Sequence, residues 1–312
     1  MSDAPVRRGA PTPGTWGSLH AAAEARLTEV GVDDPATEAR WMIEEVSGMD
    51  PSEQILEAGR RATRRATVEL DALLDRRAAG EPLQYVLGSW GFCGLDLLVD
   101  PRVLIPRPET ESVVQHAIAE VERLGERVGK ADPWAGALTH YAIADLGTGS
   151  GAIALALAAA LPDAEVWATD VSHDALAVAQ ANLAGAGTTA ARVRVAAGSW
   201  FAALPDALRG TLLLVVANPP YVAAGEELPR VVRDWEPAGA LVSGPTGMEA
   251  LEVLVDEAPA WLDPAGTLVL ELAPHQGDAV AERARTAGFA EVILRYDLTG
   301  RIRTLIARRR AD

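Results

Sequence analysis

Two short segments hold residue types suited to chemistry. Asp145–Gly151 reads DLGTGSG, and Asn218–Tyr221 reads NPPY. In the first, Gly147, Gly149 and Gly151 alternate with Thr148 and Ser150. Glycines there permit positive φ and let backbone N–H groups approach a ligand closely. The spacing is not G-x-x-x-x-G-K-[ST] and no lysine follows, which argues against a phosphate loop of the NTPase kind. Asp145, before the glycines, can attract the ammonium of an amino-acid-bearing cofactor. Asp170 ends the next apolar stretch, where a carboxylate can accept both hydroxyls of a ribose. A dinucleotide fold would also place an acid there, and a helix N-cap before Val171 is a purely structural use of Asp170. The glycines by themselves would equally serve a tight strand-to-helix turn.

The second segment supplies what the first lacks. An amide or exocyclic amine is a poor nucleophile because its lone pair is delocalised. Asn218 can accept a hydrogen bond from such an NH2 through its side-chain oxygen. Pro219 offers a carbonyl on a stiff backbone for the second N–H. Two acceptors would hold the nitrogen in line with an incoming group and favour loss of conjugation. Pro220 completes the rigid turn, and Tyr221 can pack its ring on a planar group. An Asn-Pro-Pro turn that merely closes a strand is the bland alternative. Taken together, the segments imply methyl transfer from S-adenosylmethionine to a planar amino group.

The elements that must position these residues follow from apolar patterning. Tyr141–Leu146, Glu165–Thr169, Arg192–Ala196, Thr211–Ala217 and Thr267–Leu272 read as strands, with a terminal pair at Val292–Tyr296 and Ile302–Ala307. Ala152–Leu161 and His173–Ala186 are Ala/Leu-rich helices between and after the first strands. Alternation of this kind predicts a mostly parallel seven-stranded α/β sheet covered on both faces. Ligands of an open α/β sheet collect outside the carboxyl ends of the strands, which puts NPPY beside the glycine loop.

Upstream, 15–82 reads as a small helical domain. Asp34-Pro35 marks one helix start and Gly48 its stop, with Ala39, Met42, Ile43 and Val46 at helical spacing. Val68, Leu70, Leu73, Leu74 and Arg77 form a later pattern ending at Gly80. Gly88, Gly91 and Gly94 punctuate a β-prone linker, 83–108, predicted to be a hairpin. Glu109–Leu124 resumes a helix at the start of the third region, 109–312, and Gly125–His140 reads as a surface loop. The polar Met1–Gly14 segment reads as a loose tail without the apolar stretch of a secretory signal.

Composition narrows the partners. Only one cysteine, Cys93, and five scattered histidines are present, so no disulfide and no metal site are expected, and a reducing cytoplasm is the natural setting. No apolar run reaches the ~18–20 residues of a membrane helix. A formal charge of −16 argues against nucleic acid as the main ligand, since phosphate binding needs cations to displace counterions. Arg308, Arg309 and Arg310 read as a solvated chain end. The default oligomeric expectation is a monomer.

The motifs as a set resemble the HemK/PrmC family of release-factor glutamine methyltransferases. Beyond DLGTGSG and NPPY, the resemblance rests on Gly80–Gly88 (GEPLQYVLG), Phe92–Gly94, Leu104–Glu111 (LIPRPETE), Glu236-Pro237 and Ala240-Leu241. NPPY is shared with DNA adenine methyltransferases, whereas LIPRPETE is more discriminating. A sister group acting on a ribosomal protein is similar through the hairpin and usually departs at PETE. The resemblance implies a class I, Rossmann-like methyltransferase domain behind a helical domain that docks the partner. It implies S-adenosylmethionine as cofactor and, as partners, class I peptide chain release factors, whose Gly-Gly-Gln glutamine is the acceptor. Gly147–Gly151, Asp170, Trp200 and Asn218 would contact the cofactor, and Asn218–Tyr221 the glutamine. Trp200 would flank the adenine, or else serve as a core aromatic; Ser199 stands before it where the family commonly has an acid. Arg107 and Glu109 fit either a salt bridge bracing hairpin to sheet or substrate contact. Ile302 stands where an acid is common, so no catalytic role is drawn from Gly300–Arg303. The rival functions are a ribosomal-protein glutamine methyltransferase, a DNA adenine methyltransferase, which would need a basic groove, and a non-catalytic module on the translation machinery.

Overall fold

The computed structural model describes residues 12–131, 140–297 and 299–310. Residues 1–11 of the expected tail and 132–139 of the expected Gly125–His140 loop lie outside them. The chain divides into two compact units, Met1–Gly88 and Ser89–Asp312.

The first unit is helical: α1 (Trp16–Glu29), α2 (Pro35–Ser47), α3 (Pro51–Leu56), α4 (Arg64–Ala78) and α5 (Leu83–Leu87). Asp34 caps α2 by accepting the Thr37 N–H, Pro35 opens it, and Gly48 ends it in the left-handed region, as its sequence predicts. Trp16, Leu27, Met42, Ile43, Leu70 and Leu74 are among the buried residues of its core. Val68 does not belong to that core. It is 61% exposed, because the buried stripe of α4 runs through Ala66, Leu70 and Leu74. Leu83–Leu87, read within a β-prone linker, is one helical turn closed by left-handed Gly88.

The second unit opens with a hairpin, β1 (Ser89–Phe92) and β2 (Leu95–Leu98). Its two-residue turn places both Cys93 (φ 49°) and Gly94 (φ 75°) at positive φ, the arrangement that matches strand twist. Two side chains from later in the chain fasten the hairpin. Cys93 donates its N–H to Glu111 Oε1 at 2.8 Å. The Asn182 amide bonds both the N–H and the carbonyl of Leu98, at 2.7 and 3.1 Å.

Then come α6 (Pro108–Ala131), β3 (Tyr141–Leu146), α7 (Ala152–Ala160), β4 (Ala164–Asp170), α8 (His173–Gly185), β5 (Val193–Ala197), β6 (Leu212–Ala217), α9 (Arg230–Trp235), α10 (Glu249–Trp261), β7 (Leu262–Glu271), α11 (Gly277–Thr286), β8 (Glu291–Tyr296) and β9 (Ile302–Arg308). Helix α6 continues past Leu124 into the segment read as loop. Gly125 and Gly129 cost a helix roughly 1 kcal/mol each relative to alanine but do not forbid it.

Among the described residues the main sheet has seven strands in the order β5-β4-β3-β6-β7-β9-β8. The pairs from β5 through β7 are parallel, and β9 is antiparallel to both β7 and β8. Alternation along each strand feeds two cores. Ile143, Leu214 and Val216 join α6 and α7 on one face, whereas Ala144, Val215 and Ala217 join α10 and α11 on the other. The apolar sequence of β6, buried at all six positions, is thereby explained.

Arg308 and Arg309 are not a solvated end. Arg308 closes β9 and pairs with Glu120 and Glu291 at 2.6 Å each. Arg309 donates to the Leu262 carbonyl, also at 2.6 Å. An acid on α6 and another on β8 flank the last strand and draw Arg308 in. No helix among the described residues is long and apolar enough to cross a membrane.

Candidate active site

The strand order reverses between β3 and β6, so their carboxyl ends open onto a shared crevice. The glycine loop follows β3 and NPPY follows β6. Both line one cavity of about 410 Å³, together with Val103–Leu104, Asp170, Trp200 and Gly239–Ala240. That volume lies in the range of small-molecule sites.

The glycine loop is held mainly by backbone. Gly147 and Thr148 both donate N–H to the Thr169 carbonyl at 2.8 Å. Gly147 has φ 78°, and a Cβ there would lie 3.3 Å from Cζ3 of Trp200. This one position therefore needs glycine twice, for its backbone and for the indole beside it. Gly149, Ser150 and Thr148 also line the cavity, while Gly151 caps α7 in the left-handed region.

Asp145 lies beneath the loop, fully buried, and does not line the cavity. Its Oδ2 accepts from Thr148 Oγ1 at 2.6 Å and from the Ala154 N–H at 3.1 Å. Oδ1 has no hydrogen-bond partner among the described residues. Burial pushes this carboxyl up to about 7, against the opposing pull of Thr148 and Ala154. Asp170, by contrast, faces the cavity. Its two oxygens accept the N–H groups of Gly149 and Ser172 at 2.9 and 2.8 Å, and each keeps further acceptor capacity. The cap of α8 is Ser172, not Asp170.

Trp200 is half-buried at φ 47°, a sparsely populated backbone region for a bulky residue. The neighbouring Phe201 is the core aromatic, stacked on Trp261 at 5.7 Å between centroids. Trp200 is left against the glycine loop. Ser199 also lines the cavity.

On the acceptor side, Asn218 and Pro220 line the cavity, whereas Pro219 and Tyr221 do not. Asn218 donates from Nδ2 to Thr110 Oγ1 at 3.2 Å. Thr110 donates in turn to Glu271 Oε2 at 2.7 Å. Tyr221 donates its hydroxyl to Glu271 Oε1 at 3.3 Å. Glu271, at the end of β7, is 1% exposed. Burial raises its carboxyl, opposed by Thr110, by the Arg303 charge and by Tyr221. Burial beside Glu271 likewise raises the Tyr221 phenol. The Tyr221 carbonyl accepts from Gln276 Nε2 at 2.9 Å, so the tetrapeptide is tied at its far end as well.

Arg107 and Glu109 pair with different partners. Arg107 pairs with Glu236, whose other carboxylate oxygen accepts the Ile105 N–H at 3.2 Å. Glu236 thereby joins the two segments that border the cavity, around Leu104 and around Ala240. Glu109 meets Arg301 at 3.6 Å. Where Ile302 replaces a common acid, Asp297 contacts both flanking arginines, Arg301 at 3.2 Å and Arg303 at 3.7 Å.

Thr110, Glu236, Glu271 and Gln276 carry no role that the sequence by itself makes plain. Glu271 left a signal: it is the one charged residue in the apolar run Thr267–Leu272, and a buried charge calls for a reason. Thr110 sits in LIPRPETE with nothing local to mark its hydroxyl.

Comparison with known proteins adds the lineage. Residues 18–88 match the PrmC N-terminal domain and residues 136–235 the methyltransferase small domain. A release factor glutamine methyltransferase of Moorella thermoacetica is 42% identical over 92% of this chain and 96% of its own length. One from Deinococcus radiodurans is 39% identical over the same shares. The catalytic domain of hMettl16 superposes with a TM-score of 0.51 at 17% identity, covering 79% of this chain and 82% of that one, a likeness of fold alone. Relatives that similar over nearly the whole length establish that this chain is a methyltransferase belonging to the release factor glutamine methyltransferase family.

Proposed function

We propose that the chain transfers a methyl group from S-adenosylmethionine to the side-chain amide nitrogen of the glutamine in the Gly-Gly-Gln tip of class I peptide chain release factors. The observation that carries this is the meeting of Asn218 with the glycine loop, Asp170 and Trp200 in one cavity. The residues present suit the cofactor. Asp170 retains acceptor capacity for ribose hydroxyls, the indole of Trp200 offers a face for the base, and Gly149, with open space beside it, leaves room for backbone approach. When bound, S-adenosylmethionine supplies a sulfonium methyl, which the amide nitrogen takes with loss of one proton, leaving S-adenosylhomocysteine.

The chain's own share is positioning. Asn218 accepts one amide hydrogen through Oδ1; the Pro219 carbonyl, expected to take the other, belongs to a buried residue that does not line the cavity. Held this way, the nitrogen keeps its lone pair toward the methyl as conjugation is lost. Tyr221 and Gln276 fix the tetrapeptide from behind. No covalent step is assigned to Cys93, whose thiol burial raises to about 11, far from the ionisation a nucleophile needs.

The test is transfer of a labelled methyl to purified release factor with DNA in a parallel tube. Label in the protein and not in the DNA is expected. Label in the DNA alone would overturn the reading in favour of an adenine acceptor, and cofactor binding without transfer would indicate a non-catalytic module.

A further inference from the structure

We infer that Glu271, acting through Thr110, sets the donor–acceptor polarity of Asn218 and so makes the site select a carboxamide over a carboxylate. This rests on the proposed glutamine acceptor and adds to it two positioning residues. The chain of bonds has a direction. Against its burial, the hydroxyls of Thr110 and Tyr221 and the Arg303 charge favour the ionised form of Glu271. As a carboxylate it can only accept, and both its oxygens receive hydroxyls, from Thr110 at 2.7 Å and Tyr221 at 3.3 Å. Thr110 has one proton and commits it to Glu271. Its oxygen is therefore left as an acceptor, and Asn218 must present NH2 to it, as observed at 3.2 Å. The amide then has Oδ1 on its other arm. A flipped Asn218 would set oxygen against oxygen with no proton between them, in a site where Thr110 is 4% exposed.

The consequence lies at the substrate. With Oδ1 offered, an incoming NH2 gains a bond, whereas the oxygens of a glutamate side chain meet an acceptor. Glutamine and glutamate have nearly the same shape, so apolar packing alone could not separate them. A buried polar group left unpaired by the wrong partner can.

The polarity also survives one substitution and fails in another. In Glu271→Gln the amide oxygen can still accept from Thr110 while its NH2 faces the Tyr221 oxygen, so Asn218 keeps its orientation. In Thr110→Val the relay is cut at constant shape, and the Asn218 amide is free to turn either way.

The experiment measures, in the full-length enzyme with S-adenosylhomocysteine present, the binding of release factor and of release factor carrying Gln→Glu at the tip. It uses wild type, Thr110→Val, Thr110→Ala, Thr110→Ser and Glu271→Gln. The expected preference for glutamine narrows by about tenfold or more in Thr110→Val and Thr110→Ala, the size of one buried hydrogen bond. It is kept within roughly threefold in Thr110→Ser and Glu271→Gln, which retain the relay. Unchanged cofactor affinity in each variant reports an intact fold, so a merely structural loss would show as weaker cofactor binding with the preference unaltered. An unaltered preference in Thr110→Val or in Thr110→Ala overturns the inference. Wild-type methyl transfer to the tip glutamine separates the two readings: if it fails, the proposed function falls, and if it succeeds while the preference is unmoved, only the polarity of Asn218 does.

Discussion

On the cofactor side of the cavity, seven consecutive residues, 145–151, do most of the positioning with their own backbone, and Gly147 and Thr148 lean on a single carbonyl, that of Thr169. On the acceptor side, Asn218 is oriented by Thr110, which is oriented by Glu271, and these three residues come from the end of β6, from α6 and from β7. The first region is local and the second is assembled across 161 positions of sequence. A ligand common to many reactions can be held by a transferable loop. A specific acceptor needs side chains whose direction is fixed from behind.

This contrast can be broken by substitution. The largest effect is expected under the glycine loop. Asp145 has a folded-state pKa of about 7 against an ordinary 3.8, so its contribution to stability is fully present below about pH 4 and is lost as pH rises through about 7. The loss amounts to roughly 4 kcal/mol. Asp145→Asn, neutral at every pH and able to keep one acceptor for Ala154, should flatten the fall in melting temperature across that window. A variant whose stability still falls as steeply would remove the electrostatic account of the loop.

Asn218→Ala comes next. Turnover should drop roughly 100- to 1000-fold, the usual cost of one preorganised hydrogen-bonding group, with cofactor affinity held within about threefold. Steady-state kinetics beside calorimetric cofactor titration would separate the two, and wild-type turnover would deny Asn218 its role. Gly147→Ala should do the reverse: strain at φ 78° and contact with Trp200 weaken cofactor binding by about 10- to 100-fold. A loss confined to release-factor binding would contradict the division of labour. The smallest effect belongs to Trp200→Phe, a smaller ring at the same place, expected to weaken the cofactor by only about threefold to tenfold. No change in that titration would remove Trp200 from the site.

The same contrast explains what could be read in advance. The sheet was legible because each strand is a short apolar run bounded by turn residues, and its mostly parallel character followed from the alternation of strands with helices. DLGTGSG and NPPY were legible because their residue types and spacing are local. Thr110 was not, since its importance depends on a carboxylate that strand β7 brings to helix α6. Helix α6 outran its expected end because Gly125 and Gly129 weaken a helix without forbidding it. Arg308 was misplaced for a related reason: its acids, Glu120 and Glu291, are brought to it only by the sheet. Asp145 and Tyr221 were given ligand-facing tasks from their residue types within the motifs, but neither lines the cavity, and their oxygens bond Thr148 and Glu271 instead.

The central claim, a glutamine amide as acceptor, is tested most directly by mass spectrometry of a class I release factor incubated with the enzyme and S-adenosylmethionine. One added methyl, located on the glutamine of the Gly-Gly-Gln peptide and absent with Asn218→Ala, is the predicted result. An unmodified peptide, or a methyl on any other residue, would contradict it.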